Sequence, residues 1–531
     1  MKPHDMGVLF DECAQRGTDT RVHLDRPFDI APDGGRDHDV ASLAALVRDA
    51  AGWLAAAGAR RADRIAIVKA DHWDYDLLAC AAVRLGAVPA QLSAHLPGES
   101  LGVLLKRLQP AVLVTDAAML ERCREEGVDI ASFARAVLAL GDPVEGALGP
   151  HDVLGAEPPA PRSRDDGAPL VIHHTSGTTG VPKLVVHSTR TIIGKLARFE
   201  SNRIPRIGLR TDDTVLNANT FAHGRTFCWT ASAMCLAPER ITILTDHDPD
   251  RADPVLRAHP PTVVEALPAT YVRLQRLTER LDNPFRRVRL FVSTYDAMHP
   301  PAIRAYLAAS RHRSPLWMQG WGQTETGPLT FRFHTRGSMV SKYSRKPGTR
   351  NLGRPVPFKT GIKVVDPDTF APVRRGRPGL VFTRTEALCL GYLGEMRRWS
   401  AKRVGDWWNT GDIGVRNRDG SVLLLDREVD RADGMSCLEI EDILDDRLRE
   451  VQECVVLACR DRPPLPVAVT EDGALDRAAW QRAVRDLPRM QDPVPLTWQQ
   501  VPRTGTGKVR RLDLLEQLTG RTDTYGSGRW T

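Results

Sequence analysis

The 531-residue chain is 42% hydrophobic and 26% charged with a formal charge of +7, a balance that suits a soluble globular protein of more than one domain and excludes fibrous or low-complexity classes. Its arginines are interspersed with acidic residues, so the surplus charge reads as a mixed solvated surface. No aromatic-interleaved basic stripe of the kind single-stranded nucleic acid prefers is present. Nine cysteines form no C-x-x-C pair, which sets aside cysteine zinc sites and disulfide frameworks and points to a reduced, cytoplasmic protein with no structural metal.

Taken in chain order, the opening M-K-P-H-D-M-G-V-L-F-D-E-C carries charge on both sides of a very short apolar patch, unlike a signal peptide. The longest apolar stretch, residues 77–92, is interrupted by Arg84 and Pro89 and falls short of the roughly 18 apolar residues of a membrane helix. Short β-branched runs at 65–69, 111–115, 241–245 and 262–266 alternate with longer amphipathic segments such as 75–85, the pattern of parallel sheets covered by helices. From about 340 to 420 the texture changes to Gly/Pro punctuation around strands at 362–365 and 379–383, which predicts a small β-rich subdomain. A further α/β unit follows, with a buried strand at 454–458 and a helix at 509–518.

The run V-I-H-H-T-S-G-T-T-G-V-P-K-L-V-V, residues 171–186, breaks an apolar strand with Thr175, Ser176, Gly177, Thr178, Thr179, Gly180 and Lys183. Glycines allow close backbone approach, and hydroxyls, N–H groups and a lysine suit phosphate oxygens. The spacing differs from the Walker pattern, which needs four residues between its glycines. On composition alone such a run is more often a plain turn. T-S-G-T-T-G-V-P-K resembles the signature loop of the adenylate-forming superfamily of acyl-CoA synthetases, peptide-synthetase adenylation domains and luciferases, and other motifs of that family recur in order.

In W-G-Q-T-E-T-G, the resemblance makes Trp321 the residue stacked on adenine, Thr324 the α-phosphate contact and Glu325 the Mg²⁺ ligand, a hard carboxylate for a hard cation. Asp412, in W-N-T-G-D, takes the place that accepts both ribose hydroxyls, and Arg427 that of a second ribose contact. Lys508, in P-R-T-G-T-G-K, matches the mobile catalytic lysine, its glycines read as a flexible stem. A cation there offsets repulsion between the reacting anion and the α-phosphate. His223 lies where the family has a gate beside the acyl pocket, with Phe227, Trp229, Tyr271, Tyr295 and Gly320 as pocket candidates.

The resemblance covers roughly residues 40–518 and implies an α/β fold. A large N-terminal AMP-binding domain of stacked α/β subdomains, residues 1–426 with its β-rich part at about 340–426, precedes a small mobile α+β lid domain, residues 427–531. The activity implied is activation of a hydrophobic carboxylic acid with Mg-ATP to an acyl-adenylate, then thioester formation with coenzyme A. A split enzyme performing one half-reaction, transfer to a carrier-protein pantetheine, and a non-catalytic nucleotide-binding regulator are the alternatives; the joint presence of Lys183, Glu325, Asp412 and Lys508 speaks against the last. Three departures stand out. Leu184 follows Lys183 where glycine is usual, with Thr189 for a common histidine; S-T-Y-D-A-M at 293–298 replaces S-G-G-A/E-P-L; and the junction after Arg427, preceded by Asp426 instead of glycine, is several residues short where the coenzyme tunnel is expected.

Overall fold

The computed structural model describes residues 2–175, 182–339, 349–427, 436–460 and 462–521, with Arg427 placed by its backbone. Two compact units result: residues 1–265 with 324–327 and 386–399, and residues 266–323 with 328–385 and 400–531. Both units are mixed α/β.

The first unit is built on a seven-stranded sheet in the order Gly391–Tyr392, Leu184–Ser188, Pro169–His174, Val88–Gln91, Arg64–Ile67, Val112–Asp116, Ala136–Leu140. Its four internal pairings from Pro169–His174 onward are parallel, whereas Leu184–Ser188 pairs antiparallel on both sides. Strands buried on both faces read as continuous apolar runs, which is why 65–69 and 111–115 were legible. The phosphate-loop sequence therefore joins two adjacent antiparallel strands of this sheet. A second row in the same unit runs Val263–Ala266, Thr214–Ala218, Arg240–Ile243, Arg21–Leu24, Asp37–His38, with the final pair antiparallel.

Helix Asp74–Arg84, expected to be amphipathic, is buried all round. Its charges are matched rather than wetted: Asp74 receives Lys69 Nζ at 2.7 Å and the N–H of Asp29, and Arg84 pairs with Asp11 at 2.5 Å. Burial of a charge without such partners would be prohibitive.

In the second unit, Leu290–Ser293 pairs parallel with Leu316–Gln323, followed by Gly327–His334 and Arg354–Pro355 in the same row. The β-rich texture resolves into an antiparallel sheet of Thr360–Val365, Pro378–Thr385, Trp407–Arg416 and Arg403–Val404, with Val422–Arg427 on Trp407–Arg416. A three-stranded sheet, Glu453–Leu457, Leu465–Thr470 and Val494–Thr497, carries apolar clusters around Leu444 and Trp480 and around Val467 and Leu514. Among the described residues no helix is long and apolar enough to cross a membrane, and all nine cysteines are buried and outside any disulfide.

Candidate active site

The neck of the phosphate loop is closed by its own ends. Thr175 N–H donates to the Lys183 carbonyl at 3.1 Å, and Lys183 N–H donates to Thr175 Oγ1 at 3.1 Å. Ser176, Gly177, Thr178, Thr179 and Gly180 lie outside the described residues. Just upstream, His174 Nδ1 lies 2.7 Å from the Thr175 carbonyl and Nε2 accepts the Ser93 N–H at 3.1 Å, which fixes the tautomer with the proton on Nδ1. Burial holds His174 below the usual imidazole range, so a neutral ring anchors the loop entry.

Around this neck the first unit gathers Lys183, Thr324, Glu325 and a residue that sequence reasoning passed over, Tyr392. The Tyr392 hydroxyl donates to Glu325 Oε1 at 2.6 Å, and Lys183 Nζ stands 5.7 Å from the Tyr392 ring centroid. Burial first, then the Glu325 charge, raises the phenol far above its ordinary value, so it stays a donor. His187 Nε2 lies 2.8 Å from the Thr324 carbonyl and Cys389 N–H donates to the Glu325 carbonyl at 2.8 Å. The Thr-Glu pair is thus pinned on both sides of its backbone. A cation, a hydroxyl and a buried carboxylate converge as phosphate and hard-metal chemistry requires. The Gly391-Tyr392 dipeptide is the sole sequence signal, 67 residues from its partner.

Under the expected gate lies a second uncounted feature. Trp73 Nε1 donates to Thr230 Oγ1 at 2.8 Å, Thr230 Oγ1 donates to Asp76 Oδ2 at 2.7 Å, Gln91 Nε2 donates to Asp76 Oδ1 at 2.8 Å, and Gln91 Oε1 lies 2.8 Å from His173 Nε2. Burial pushes the Asp76 carboxyl up to about 7 against the hydrogen bonds that lower it. Burial, then His187 and His223, hold His173 well below the usual imidazole range. With Nε2–H committed to Gln91, His173 Nδ1 is an acceptor that meets no hydrogen-bond donor. It faces Gly224, where an added Cβ would come within 3.2 Å.

His223 caps helix Gly224–Leu236 by accepting the Arg225 N–H on Nδ1 at 3.0 Å. Arg225 is clamped between Glu200, with two contacts of 2.7 Å, and Glu265 at 2.6 Å. Phe227, buried on the same helix, sets its ring 5.9 Å from His173. His223 and Phe227 therefore meet at one helix start, while Trp229 is buried against Trp73 in the core.

The second unit holds the residues expected at the nucleoside. Asp412 is buried on strand Trp407–Arg416, and its register partner on the neighbouring strand is Arg427. Gln323, also overlooked in the sequence, orders this corner: Nε2 donates to the Thr410 carbonyl at 2.6 Å, and Oε1 accepts Trp408 Nε1 at 3.1 Å. Trp321 rests against the Leu352, Ile362, Val364, Val381 and Val422 cluster. A Cβ at Gly320 would be a tight fit, 3.1 Å from Thr294 Cγ2 and 3.2 Å from the Phe331 ring. Tyr271, expected at the pocket, is buried in an aromatic cluster with Tyr306 and Trp317. Tyr295 adopts φ +77°, a left-handed conformation that glycine takes freely and a bulky residue takes under strain.

Lys508 closes a tight hairpin. Thr504 N–H donates to the Lys508 carbonyl at 2.8 Å and Gly507 N–H to the Thr504 carbonyl at 2.8 Å. Gly507 serves geometry: φ is +77°, and a Cβ would come 2.5 Å from Ala269 Cβ. The departure at Asp426 also has a local reason. Its carboxyl, pushed up to about 7 by burial, accepts Leu438 N–H at the start of helix Cys437–Arg447.

A family model described as AMP-binding enzyme matches residues 10–393, and the chain belongs to that family of adenylate-forming enzymes, which supports ATP use. It is 37% identical to a 3-amino-2-hydroxy-4-methoxybenzoate diazotase of Streptomyces cremeus, across 97% of this chain and 96% of that protein. It is 27% identical to a 4-hydroxybenzoate–CoA/benzoate–CoA ligase of Rhodopseudomonas palustris, across 88% and 86%. In fold it is similar to an anthranilate CoA ligase solved with anthranoyl-AMP, with a TM-score of 0.79 at 20% identity, covering 97% of this chain and 98% of that one.

Proposed function

We propose that this enzyme diazotises an aromatic amine, activating nitrite with ATP and passing its nitrogen to the amine. The observation that carries the reading is the full-length 37% identity to a diazotase, set against 27% to a benzoate CoA ligase. Diazotisation needs nitrogen at the oxidation level of nitrous acid. Nitrite, like a carboxylate, spreads one negative charge over two oxygens, so a site that aligns a carboxylate on the α-phosphorus suits it. A nitrite oxygen attacks the α-phosphorus and pyrophosphate leaves. The amine nitrogen then attacks the nitroso nitrogen, the N–O bond to AMP breaks, and AMP departs with one proton released. The resulting N-nitrosamine tautomerises, takes up a proton and loses water to give the diazonium ion.

In this reading Thr175, Lys183 and Thr324 grip phosphates with the loop between them, Asp412 and Arg427 hold the ribose, and Trp321 meets the adenine. Lys508 offsets the repulsion between nitrite and the triphosphate, while positioning supplies much of the rate. Glu325 would hold Mg²⁺, its buried carboxylate beside the phosphate neck being the hard oxygen ligand that ion takes; the ion neutralises phosphate charge. His223 or neutral His173 accepts the amine proton. No thiol is needed, which accords with the short junction where a coenzyme tunnel is expected. The substrate class follows the relative: an aminobenzoate carrying a phenol.

The second reading is the acid–thiol ligase implied by the motif order and by the 27% relative, with an aryl acid, coenzyme A or a carrier protein, and residues 427–531 as the lid. Purified enzyme with Mg-ATP, nitrite and amino-hydroxybenzoates should release AMP and a diazonium ion trapped as an azo dye with 2-naphthol. Nitrite-independent AMP release with thioester formation from coenzyme A would overturn diazotisation in favour of the ligase. Pyrophosphate exchange driven by the acid without thioester would single out an adenylation-only enzyme.

A further inference from the structure

Outside the residues assigned above, the first unit brings His23, Asp37 and His259 together, with one donor atom from each lying within 4.8 Å of the others. We propose that this triad is a binding site for a borderline divalent transition ion of the Zn²⁺ type, held by two imidazoles and a carboxylate. None of its ligands is a cysteine, so the absence of cysteine pairs in the sequence does not bear on it.

The scaffold is preformed. His23 on strand Arg21–Leu24 and Asp37 on Asp37–His38 are direct register partners in an antiparallel pair, and cross-strand neighbours meet on one face without any long-range adjustment. His23 Nδ1 stands 2.9 Å from Asp37 Oδ1 in a hydrogen bond, and two ligands of a tetrahedral ion lie about 3.3 Å apart, so the ion takes the place of that hydrogen bond with a small opening of the pair. His259 ends helix Pro249–Ala258, its N–H held by the Val255 carbonyl at 3.1 Å, and its ring centroid lies 4.3 Å from that of His23. Two paired strands and a helix end distant from them in the chain thus deliver the three ligands.

Two imidazoles favour Zn²⁺, Ni²⁺ or Cu²⁺ over Mg²⁺ and Ca²⁺, which take oxygen ligands. The neighbouring Arg240 opposes any cation there, so the site needs the covalency of imidazole ligation and rejects ions bound by charge alone. Three protein ligands leave a position for water, and exposed Asp37 provides the entry path.

The test uses the full-length protein stripped with chelator and titrated with Zn²⁺ by calorimetry, with Mg²⁺ and Ca²⁺ in parallel. One equivalent should bind to the native chain, and His259→Ala, His259→Gln and Asp37→Asn should each weaken it at least tenfold. Zn²⁺ should also raise the melting temperature of the native chain and not of the variants, while metal-free melts establish that the variants are folded. Zn²⁺ binding of equal strength in native chain and folded variants, or no equivalent bound at all, would overturn the site. Mg²⁺ competing at similar concentration would overturn the imidazole selectivity. None of these readouts depends on diazotisation.

Discussion

Two buried polar networks, one in each unit, differ in kind. In the first, Trp73, Thr230, Asp76, Gln91 and His173 form a chain of neutral partners in which a carboxyl is pushed up to about 7 and an imidazole is kept uncharged. In the second, His299 at the start of helix Pro300–Ala309 donates to Asp442 at 2.8 Å and stands 3.3 Å from Asp445, with Thr349 donating to Asp442 at 2.7 Å. Asp445 and Asp442 prevail over burial and push this imidazole up to about 10. The first network titrates at Asp76, near 7, while His173 stays neutral and keeps presenting one acceptor. The ionic network fastens helix Cys437–Arg447 to helix Pro300–Ala309 and yields to titration.

The largest effect should come from Lys508. Lys508→Ala removes the cation proposed to face developing charge, and a loss of about 10²–10³ in the rate of AMP formation is expected on the scale of an oxyanion-hole donor, with ATP binding by calorimetry nearly unchanged. Loss of ATP binding instead would show that the hairpin from Thr504 to Lys508 is a structural clip. Asp412→Ala should act on the other quantity, raising the KM for ATP by about 10–100-fold through loss of hydrogen bonds to a charged acceptor, roughly 1.5–3 kcal/mol. Tyr392→Phe should lower kcat more than it raises KM, because Glu325 would lose the hydroxyl that aims it.

The contrast in pH response is sharper than these substitutions. The raised imidazole of His299 contributes stability that is fully present below its unfolded value near 6.5 and is lost as pH rises toward about 10. Asp76 runs the other way. Unfolded, it ionises near 3.8; folded, near 7, so the carboxyl costs stability progressively as pH rises across that window. Melting curves should therefore show His299→Gln most destabilised below about pH 6.5 and converging on the native chain only as pH passes about 10. Asp76→Asn should show its relative gain above pH 7 and lose it below pH 4. Parallel curves for native chain and variants would mean that the two networks do not differ in charge.

The site candidates the sequence offered are short, local motifs in order: Thr175 and Lys183 flank a loop between two strands, Thr324-Glu325 follow a strand, Asp412 lies within one, and Lys508 follows a hairpin turn. Tyr392, Gln323 and His173 escaped because their meaning lies in partners brought by the sheets, such as Glu325 for Tyr392 and Asp412 with Trp408 for Gln323. Helix Asp74–Arg84 misled for the same reason. Its acids and arginine look like a wet face until Lys69, Gln91, Thr230 and Asp11 are in place to pair them.

Tyr295 offers the smallest and most discriminating effect. A left-handed φ in a bulky residue costs on the order of 1–3 kcal/mol and persists only where its surroundings impose it, and this tyrosine stands where the resemblance leads one to expect glycine. If the strain holds an aromatic wall for the substrate, Tyr295→Asn should relieve it, since asparagine tolerates this conformation. Relief and lost packing should nearly cancel, leaving the melting temperature within a few degrees of the native chain, while the KM for the aromatic amine rises several-fold and the KM for ATP holds. A large drop in melting temperature with unchanged KM would make Tyr295 a core residue, and the strained backbone at 293–298 a matter of packing between Ser293, hydrogen-bonded to Trp317 at 3.0 Å, and the crowded Gly320 strand.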